Sequence, residues 1–287
     1  MANLKDIRRR IRSVQSTQQI TKAMKMVSAA KLRRSQESMF AARPYAEKVL
    51  QVLNSLATRA DQGSHPLLEV REEKAVHVVV VTADRGLCGA FNTNILRHAG
   101  HFLDALQQEG KTVALHVVGR KARDYFKRRQ YPMESQWVGL FTKIRYEDAD
   151  KVAAQLISLY AEKKCDAIYM IYNQFKSVIA QKLVEEKVLP IARLPVSDPD
   201  QGPDYLYEPT QQELFETLLP RHVTFQVFRA ILESGAAEHA ARMTAMESAT
   251  NNARDMIDRL TLYANRVRQA AITKEIIEVV SGAQALG

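Results

Sequence analysis

Two long stretches of this chain contain almost nothing that would stop an α-helix. Residues 1–62 have no glycine and a single proline, Pro44, and between Gly235 and Gly282 there is neither. The breakers and the β-branched runs gather in between, which implies helical ends around a mixed centre. At 46% hydrophobic the chain can bury a core. It has no run of about 18 apolar residues that would span a membrane, and no secretory apolar segment at its start. Cys88 and Cys165 are too few for a disulfide framework or a zinc site, which fits a reducing compartment.

The N-terminal stretch carries a heptad repeat. Its a/d sites are Leu4, Ile7, Ile11, Val14, Gln18, Thr21, Lys25, Ser28, Leu32, Ser35, Met39, Ala42, Ala46, Val49, Leu53 and Leu56. A sustained repeat of this kind calls for a supercoiled partner helix. Its middle is polar, and there the apolar stripe moves one place back, to Ile20, Met24 and Val27. That slip predicts a change of face near residues 18–28. Because the heptads continue in phase past Pro44, a kink is expected there rather than a stop.

The C-terminal stretch reads similarly through Met246, Ala249, Ala253, Met256, Leu260, Tyr263, Val267 and Ala270. Ala236, Ala237, Ala240, Ala241 and Ala245 would let two helix axes approach closely. Beyond Ala270 the apolar residues Ile272, Ile276, Ile277, Val279 and Val280 spread around most of the helix. One partner helix cannot cover them, so this tip is expected to enter a sleeve made by other chains. Some 50 helical residues would reach roughly 75 Å. If one compact domain joins the two helices, they must run antiparallel.

The charge is concentrated at one end. Residues 1–34 hold ten of the 41 basic residues and one of the 32 acidic ones, Asp6, leaving 31 of each elsewhere. The formal net charge of +9 therefore lies in this segment, which implies an acidic partner surface.

The centre alternates strand and helix. Residues 75–82, AVHVVVVT, form a β-branched run typical of a strand buried on both faces. A helix is predicted from about 90 to 108, a strand over 112–118 and a helix over about 121–129. A further helix covers about 147–163 and a strand 167–172, with 177–189 as another strand that can pair with it. This order implies a parallel sheet with helices on its faces.

No motif in the chain demands a cofactor. The turn Asp84-Arg85-Gly86-Leu87-Cys88-Gly89 occupies the place of a dinucleotide fingerprint but has only a GxxG pattern, and Gly119-Arg120-Lys121 ends the second strand without a ribose-binding acid. It reads as a tight turn ordered by an Asp84–Arg85 pair. Cys88 sits at a helix start, where a nucleophile can be activated, but no histidine is an evident partner and a packed thiol is the simpler reading. The histidines show no metal spacing.

Several segments resemble the gamma subunit of rotary F-type ATP synthases. They are ITKAMKMVSAAKLRRSQ at 20–36, DRGLCG at 84–89, YLYEP at 205–209, EHAARMTAMESATNNA at 238–253 and ITKEIIEVVSGAQA at 272–285. The resemblance runs from end to end, in order. It implies an α/β protein in which a long antiparallel coiled coil of the N- and C-terminal helices carries an inserted Rossmann-like α/β domain. It also implies a central stalk turning inside a hexamer of alternating alpha and beta subunits, one copy per complex. The catalytic chemistry then belongs to the hexamer, and this chain has no catalytic residues or cofactor of its own. The inserted domain is implied to be a foot against the membrane c-ring and the epsilon subunit.

The resemblance also assigns residues. Met24 is placed against a beta-subunit lever, and Arg268 and Gln269 correspond to polar contacts that catch a beta loop. Lys22, Lys25, Arg33 and Arg34 suit the acidic levers, and Ile276 and Val280 belong to the tip in its bearing. Tyr205, Tyr207 and Glu208 would meet the polar loops of the c-ring. The expected division is 1–60 and 210–287 for the coiled-coil helices and 70–209 for the foot. There is no cysteine-bearing insert near residues 190–210 of the chloroplast kind. The heptads run through the basic start, which argues against a mitochondrial presequence. A bacterial type is expected, peripheral on the cytoplasmic face of the inner membrane.

Two other readings compete. A basic segment followed by heptads resembles the layout of a nucleic-acid-binding coiled coil, although here the heptads run through the basic segment itself. An enzyme built on the α/β domain is the third.

Overall fold

The computed structural model describes residues 4–57, 65–191, 208 and 210–285. Two long helices open and close the chain, α1 (Leu4–Ala57) and α5 (Gln211–Ala285). Pro44 lies inside α1 and Pro220 inside α5, and neither ends its helix. An interior proline costs about 3 kcal/mol. Tertiary burial offsets that cost, since Leu53 in α1 and Leu219 and Val223 in α5 are fully enclosed. No helix among the described residues is long and apolar enough to cross a membrane.

The chain separates into two compact units. One comprises the described residues up to Ser28 and from Met243 onward, and the other runs from Ala29 to Arg242. The second unit holds a five-stranded sheet in the order β3-β2-β1-β4-β5. Its strands are β1 (Ala75–Val81), β2 (Thr112–Val118), β3 (Met133–Trp137), β4 (Ala167–Phe175) and β5 (Gln181–Leu189). β1 to β4 pair in parallel. β5 runs antiparallel to β4, as a tight hairpin requires, so the sheet is mixed rather than wholly parallel. β3 lies outside the strands expected from sequence. Its segment, MESQW, has no β-branched residue, and its alternating burial is that of an edge strand.

Helices cover both faces. α2 (Phe91–Gln108) and α3 (Arg120–Arg128) set Ile95, Leu96, Ala99, Leu103 and Phe126 against Val76, Val78, Val80 and Ile171. On the other face α4 (Tyr146–Ala161) and the first turns of α5 pack Val152, Leu156, Tyr160, Phe215, Leu219 and Val223 against Val79, Val81, Ile168 and Met170. Val49 and Leu53 of α1 complete this second core. β1 is central, and six of its seven residues are buried, as its unbroken apolar run requires.

The pairing of α1 with α5 is antiparallel. In the second unit Leu32 and Met39 cluster with Leu232, Ala236 and Ala240. In the first unit Thr21 meets Thr250 and Lys25 meets Glu247, so four residues forward on one helix correspond to three back on the other.

Candidate functional site

In the first unit the heptad of α1 keeps its phase throughout. Ile7, Thr21 and Ser28 are buried, and Ile11, Val14, Gln18 and Lys25 are partly so. The predicted slip to Ile20 and Val27 does not occur, for each is 57% exposed. Met24 stays half-buried beside Lys25. The amphipathicity of this segment is therefore inverted. Gln18, Thr21, Lys25 and Ser28 line the seam, while Ile20, Ala23, Met26 and Val27 face outward. Helices of soluble domains normally bury the apolar stripe.

Local hydrogen bonds make the polar seam tolerable. Ser28 Oγ donates to the carbonyl of Met24 at 2.8 Å. Thr21 Oγ1 lies 2.7 Å from Thr250 Oγ1, 3.0 Å from the Gln18 carbonyl, and Thr250 Oγ1 lies 2.7 Å from the Met246 carbonyl. Two hydroxyl protons serve these three contacts, so one threonine donates across the seam while the other bonds back to its own helix. Beside them Lys25 Nζ reaches Glu247 Oε1 at 2.7 Å. That pair is partly solvated and contributes at most about 1 kcal/mol.

α5 is also phased differently from its predicted stripe. Met246, Ala253 and Ala264 are buried and Ile257, Leu260 and Val267 partly so, whereas Met256 and Tyr263 are about half exposed. The second seam position of each heptad is thus Thr250, Ile257 and Ala264, one residue later than predicted. Both spacings satisfy a 3.5-residue repeat, and only the partner decides between them.

The seam ends at Val267. Carrying the Thr21–Thr250 register outward at equal rise sets Leu4 opposite Val267. From Arg268 to Gln284 every residue is exposed, including Arg268, Gln269, Ile276 at 58% and Val280 at 51%. Ile272, Ile277 and Val279 are exposed too, and at 3.6 residues per turn the five side chains occupy an arc of about 160°, one broad side of the helix rather than most of its circumference as expected from sequence. A bare apolar surface of this kind marks an interaction site.

The remaining expected contact residues are scattered. Lys22, Arg33 and Arg34 are exposed, with Arg33 bound to Glu37 of its own helix at 3.0 Å. Glu208 is exposed, while Tyr205 and Tyr207 lie outside the described residues. Among the described residues of the expected set, Lys25 is the one that forms an ion pair across the helix pair. Thr250 and Glu247, the counterparts on α5, are not among the residues expected from sequence. The available signal is the polar a/d run beside an out-of-phase apolar row.

In the second unit the turn after β1 sits at the carboxyl ends of the parallel strands, where open α/β sheets bind ligands. Here protein fills that position. Arg242 of α5 donates to the Gly86 carbonyl and pairs with Glu238 at 2.6 Å. Cys88 packs with Ala83, Phe91 and Ala237, and burial pushes its thiol pKa up, away from a reactive thiolate. Asp84 does not pair with Arg85. Its Oδ1 accepts from the backbone N–H groups of Arg120 at 3.0 Å and Gly139 at 3.1 Å, and Arg85 is exposed. Burial also pushes the Glu238 carboxyl up, with Arg242 partly offsetting it. Among the described residues no three His, Cys, Asp or Glu side chains gather as a metal site would need.

The comparisons with known proteins agree end to end. The family model described as ATP synthase matches residues 3–286. The chain is 50% identical to the ATP synthase gamma chain of Solibacter usitatus, over 99% of both sequences. It is 47% identical to that of Pelotomaculum thermopropionicum, over the whole of both. Among solved structures it matches a chain of the Tetrahymena thermophila mitochondrial ATP synthase central stalk and c-ring with a TM-score of 0.60 at 25% identity, covering 80% of this chain and 99% of that one. A chain of the Euglena gracilis mitochondrial enzyme, in its OSCP/F1/c-ring assembly, shares the fold with a TM-score of 0.69 at 21% identity, over 99% and 94% of the two. These matches set aside the nucleic-acid reading of the basic segment: its residues lie within a full-length likeness to ATP synthase chains. The chain belongs to the ATP synthase gamma chain family.

Proposed function

We propose that this chain is the rotating shaft of a bacterial F-type ATP synthase, one copy per complex. Ion flow turns a membrane c-ring, the ring turns this chain, and its asymmetric profile drives the catalytic sites of an alpha/beta hexamer through their binding states. The chain contributes geometry and torque, with no catalytic residue or cofactor of its own. The observation that carries this reading is the bare tip of α5, apolar along one broad side and unpaired with any helix among the described residues, in a chain that matches bacterial gamma chains over its whole length.

In this reading residues 1–60 and 210–287 form the shaft and 70–209 the foot. Ile276 and Val280 turn in an apolar sleeve at the top of the hexamer. Arg268 and Gln269 offer polar contacts just below it. Met24, Lys22, Lys25, Arg33 and Arg34 face the acidic levers of the beta subunits. Partly exposed charges give individually weak contacts that salt screens, which suits surfaces that slide. Tyr205, Tyr207 and Glu208 lie toward the c-ring and the epsilon subunit. The complex holds the chain peripherally at the cytoplasmic face of the inner membrane.

Co-expression with alpha and beta subunits tests the assignment. The chain should co-purify with both and confer ATPase activity on the assembly. Failure to associate, with a folded chain by circular dichroism, contradicts it.

A further inference from the structure

The inverted segment of α1 poses a physical question. Ile20 and Val27 are seven residues apart, lie on one side of the helix and are 57% exposed, and Met26 beside them is 60% exposed. Hydrophobic burial alone would turn this row into the seam and send Thr21, Lys25 and Ser28 to solvent. A rotation of about 100°, one residue's worth, accomplishes the exchange. Yet Thr21 is 8% and Ser28 3% exposed.

We propose that the Thr21–Thr250 hydroxyl contact is a phase lock, holding α1 in the rotation that keeps Ile20, Met26 and Val27 outward. Several observations converge on these two residues. Their contact, at 2.7 Å, crosses the seam and ties the buried Thr21 on α1 to the partly buried Thr250 on α5. Each hydroxyl is also within hydrogen-bond distance of a carbonyl one turn back, so whichever threonine does not donate across the seam is held by its own helix. Rotating α1 by one residue would break the contact across the seam and present the Ile20 side chain to Thr250. The part-buried Thr250 hydroxyl, left against an alkyl group, loses its partner from the other helix. A single polar seam position is known to fix the alignment of paired helices at some cost in stability. Here the quantity fixed is the rotation of one helix about its own axis.

The consequence rests on the shaft reading given above. The outward row, with Lys22 beside it, is the surface that the surrounding subunits would meet. The lock decides whether that surface is apolar or polar. The shaft thereby gives up some seam stability to keep an apolar face outside.

Thiol labelling of the full chain tests this without any partner. Val27→Cys and Ser28→Cys are prepared separately, each with Thr or with Ala at both 21 and 250. The native thiols Cys88 and Cys165 are buried, so their background is low. With both threonines present, the thiol introduced by Val27→Cys should label much faster than the one introduced by Ser28→Cys. With both alanines, loss of one hydrogen bond should reduce the ratio of the first rate to the second by about tenfold. The Thr21→Ser/Thr250→Ser pair keeps the hydroxyls and should restore the ratio, whereas a general loosening of the helix pair would not be rescued. An unchanged ratio in the alanine variant, with helix content intact, overturns the proposal and leaves the phase to the flanking heptads. If the labelling behaves as expected while co-purification with alpha and beta fails, the lock stands and the shaft reading falls.

Discussion

Arg242 reaches out of α5 to the carbonyl of Gly86, with Nη2 at 3.1 Å and Nε at 3.3 Å. The same guanidinium holds Glu238, and the two side chains are only 10% and 4% exposed. Within the second unit this residue, with the packing of Cys88 on Ala237, ties the turn after β1 to the long helix. Removing the cation strands a buried carboxylate, so Arg242→Ala should cost about 3–5 kcal/mol. Arg242→Lys should recover only part of this, because an ammonium lacks the planar fork that serves a carbonyl and a carboxylate together. Urea unfolding of the variants measures both. A loss below about 1 kcal/mol for the alanine would show that the anchor contributes little.

Gly119 ends β2 at φ +97°, and a Cβ there would lie 2.1 Å from the Thr82 carbonyl oxygen and 2.8 Å from its carbon. Both obstructing atoms are backbone of the residue that follows β1, so nothing flexible can yield. Gly110 has φ +78° with open space around it. Gly119→Ala should leave the sheet unit unfolded in circular dichroism. Gly110→Ala should cost only the left-handed backbone term, about 1–2 kcal/mol. Equal tolerance of the two substitutions would contradict the close approach of β1 to β2.

Acid should destabilise the sheet through His116. This side chain is fully buried, its Nε2 lies 2.8 Å from His77 Nδ1, and its Nδ1 lies 2.5 Å from Ser135 Oγ. Burial, with the neighbouring His77 second, lowers its pKa from 6.5 to about 4. The unfolded chain therefore binds the extra proton first. Stability should fall as pH drops below about 6.5 and level off, for this group, below about 4. The loss is on the order of 3 kcal/mol at about 1.4 kcal/mol for each pH step. The only tryptophan, Trp137, stacks on His116 with ring centroids 6.1 Å apart and reports the transition directly. His116→Gln should reduce the dependence between pH 7 and 5 without abolishing it, because burial lowers the His239 pKa to about 4 as well. A wild-type urea midpoint independent of pH over that range would refute the account.

Some of this is legible in the sequence because period and composition act locally. The apolar run of β1 announces a strand buried on both faces, and the lack of breakers announces α1 and α5. The concealed features depend on a partner. The stripes Met246–Ala249–Ala253 and Met246–Thr250–Ala253 fit the same repeat, and the partner helix, which sets Thr21 opposite Thr250, distinguishes them. Likewise Ile20 and Val27 look like seam residues because burial of alkyl groups is the default, and they are outside because polar neighbours are satisfied inside. Arg85 stands next to Asp84 in sequence, which is the reason to expect the two to pair. The cation at this turn is instead Arg242, 156 residues from the Gly86 it grips. β3 escapes a pattern search because an edge strand needs only one apolar row, and MESQW barely carries one.

The exposed tip makes the sharpest demand on the isolated chain. Ile272, Ile276, Ile277, Val279 and Val280 are between 47% and 72% exposed on one helix end. Each large apolar side chain taken out of water contributes about 1.5–3 kcal/mol when fully buried, so even partial burial in a second copy favours self-association. The purified chain should sediment as oligomers at micromolar concentration and bind a hydrophobic dye. Ile276→Ser with Val280→Ser should shift it toward monomer while leaving helix content unchanged, because both side chains are already more than half exposed. In the assembled complex the same pair should weaken retention of the chain by alpha and beta subunits, since the sleeve would close on hydroxyls rather than alkyl groups. A wild-type chain that sediments as a clean monomer and binds no dye would argue that the tip is adequately solvated as it stands, and the case for a sleeve would lose its physical basis.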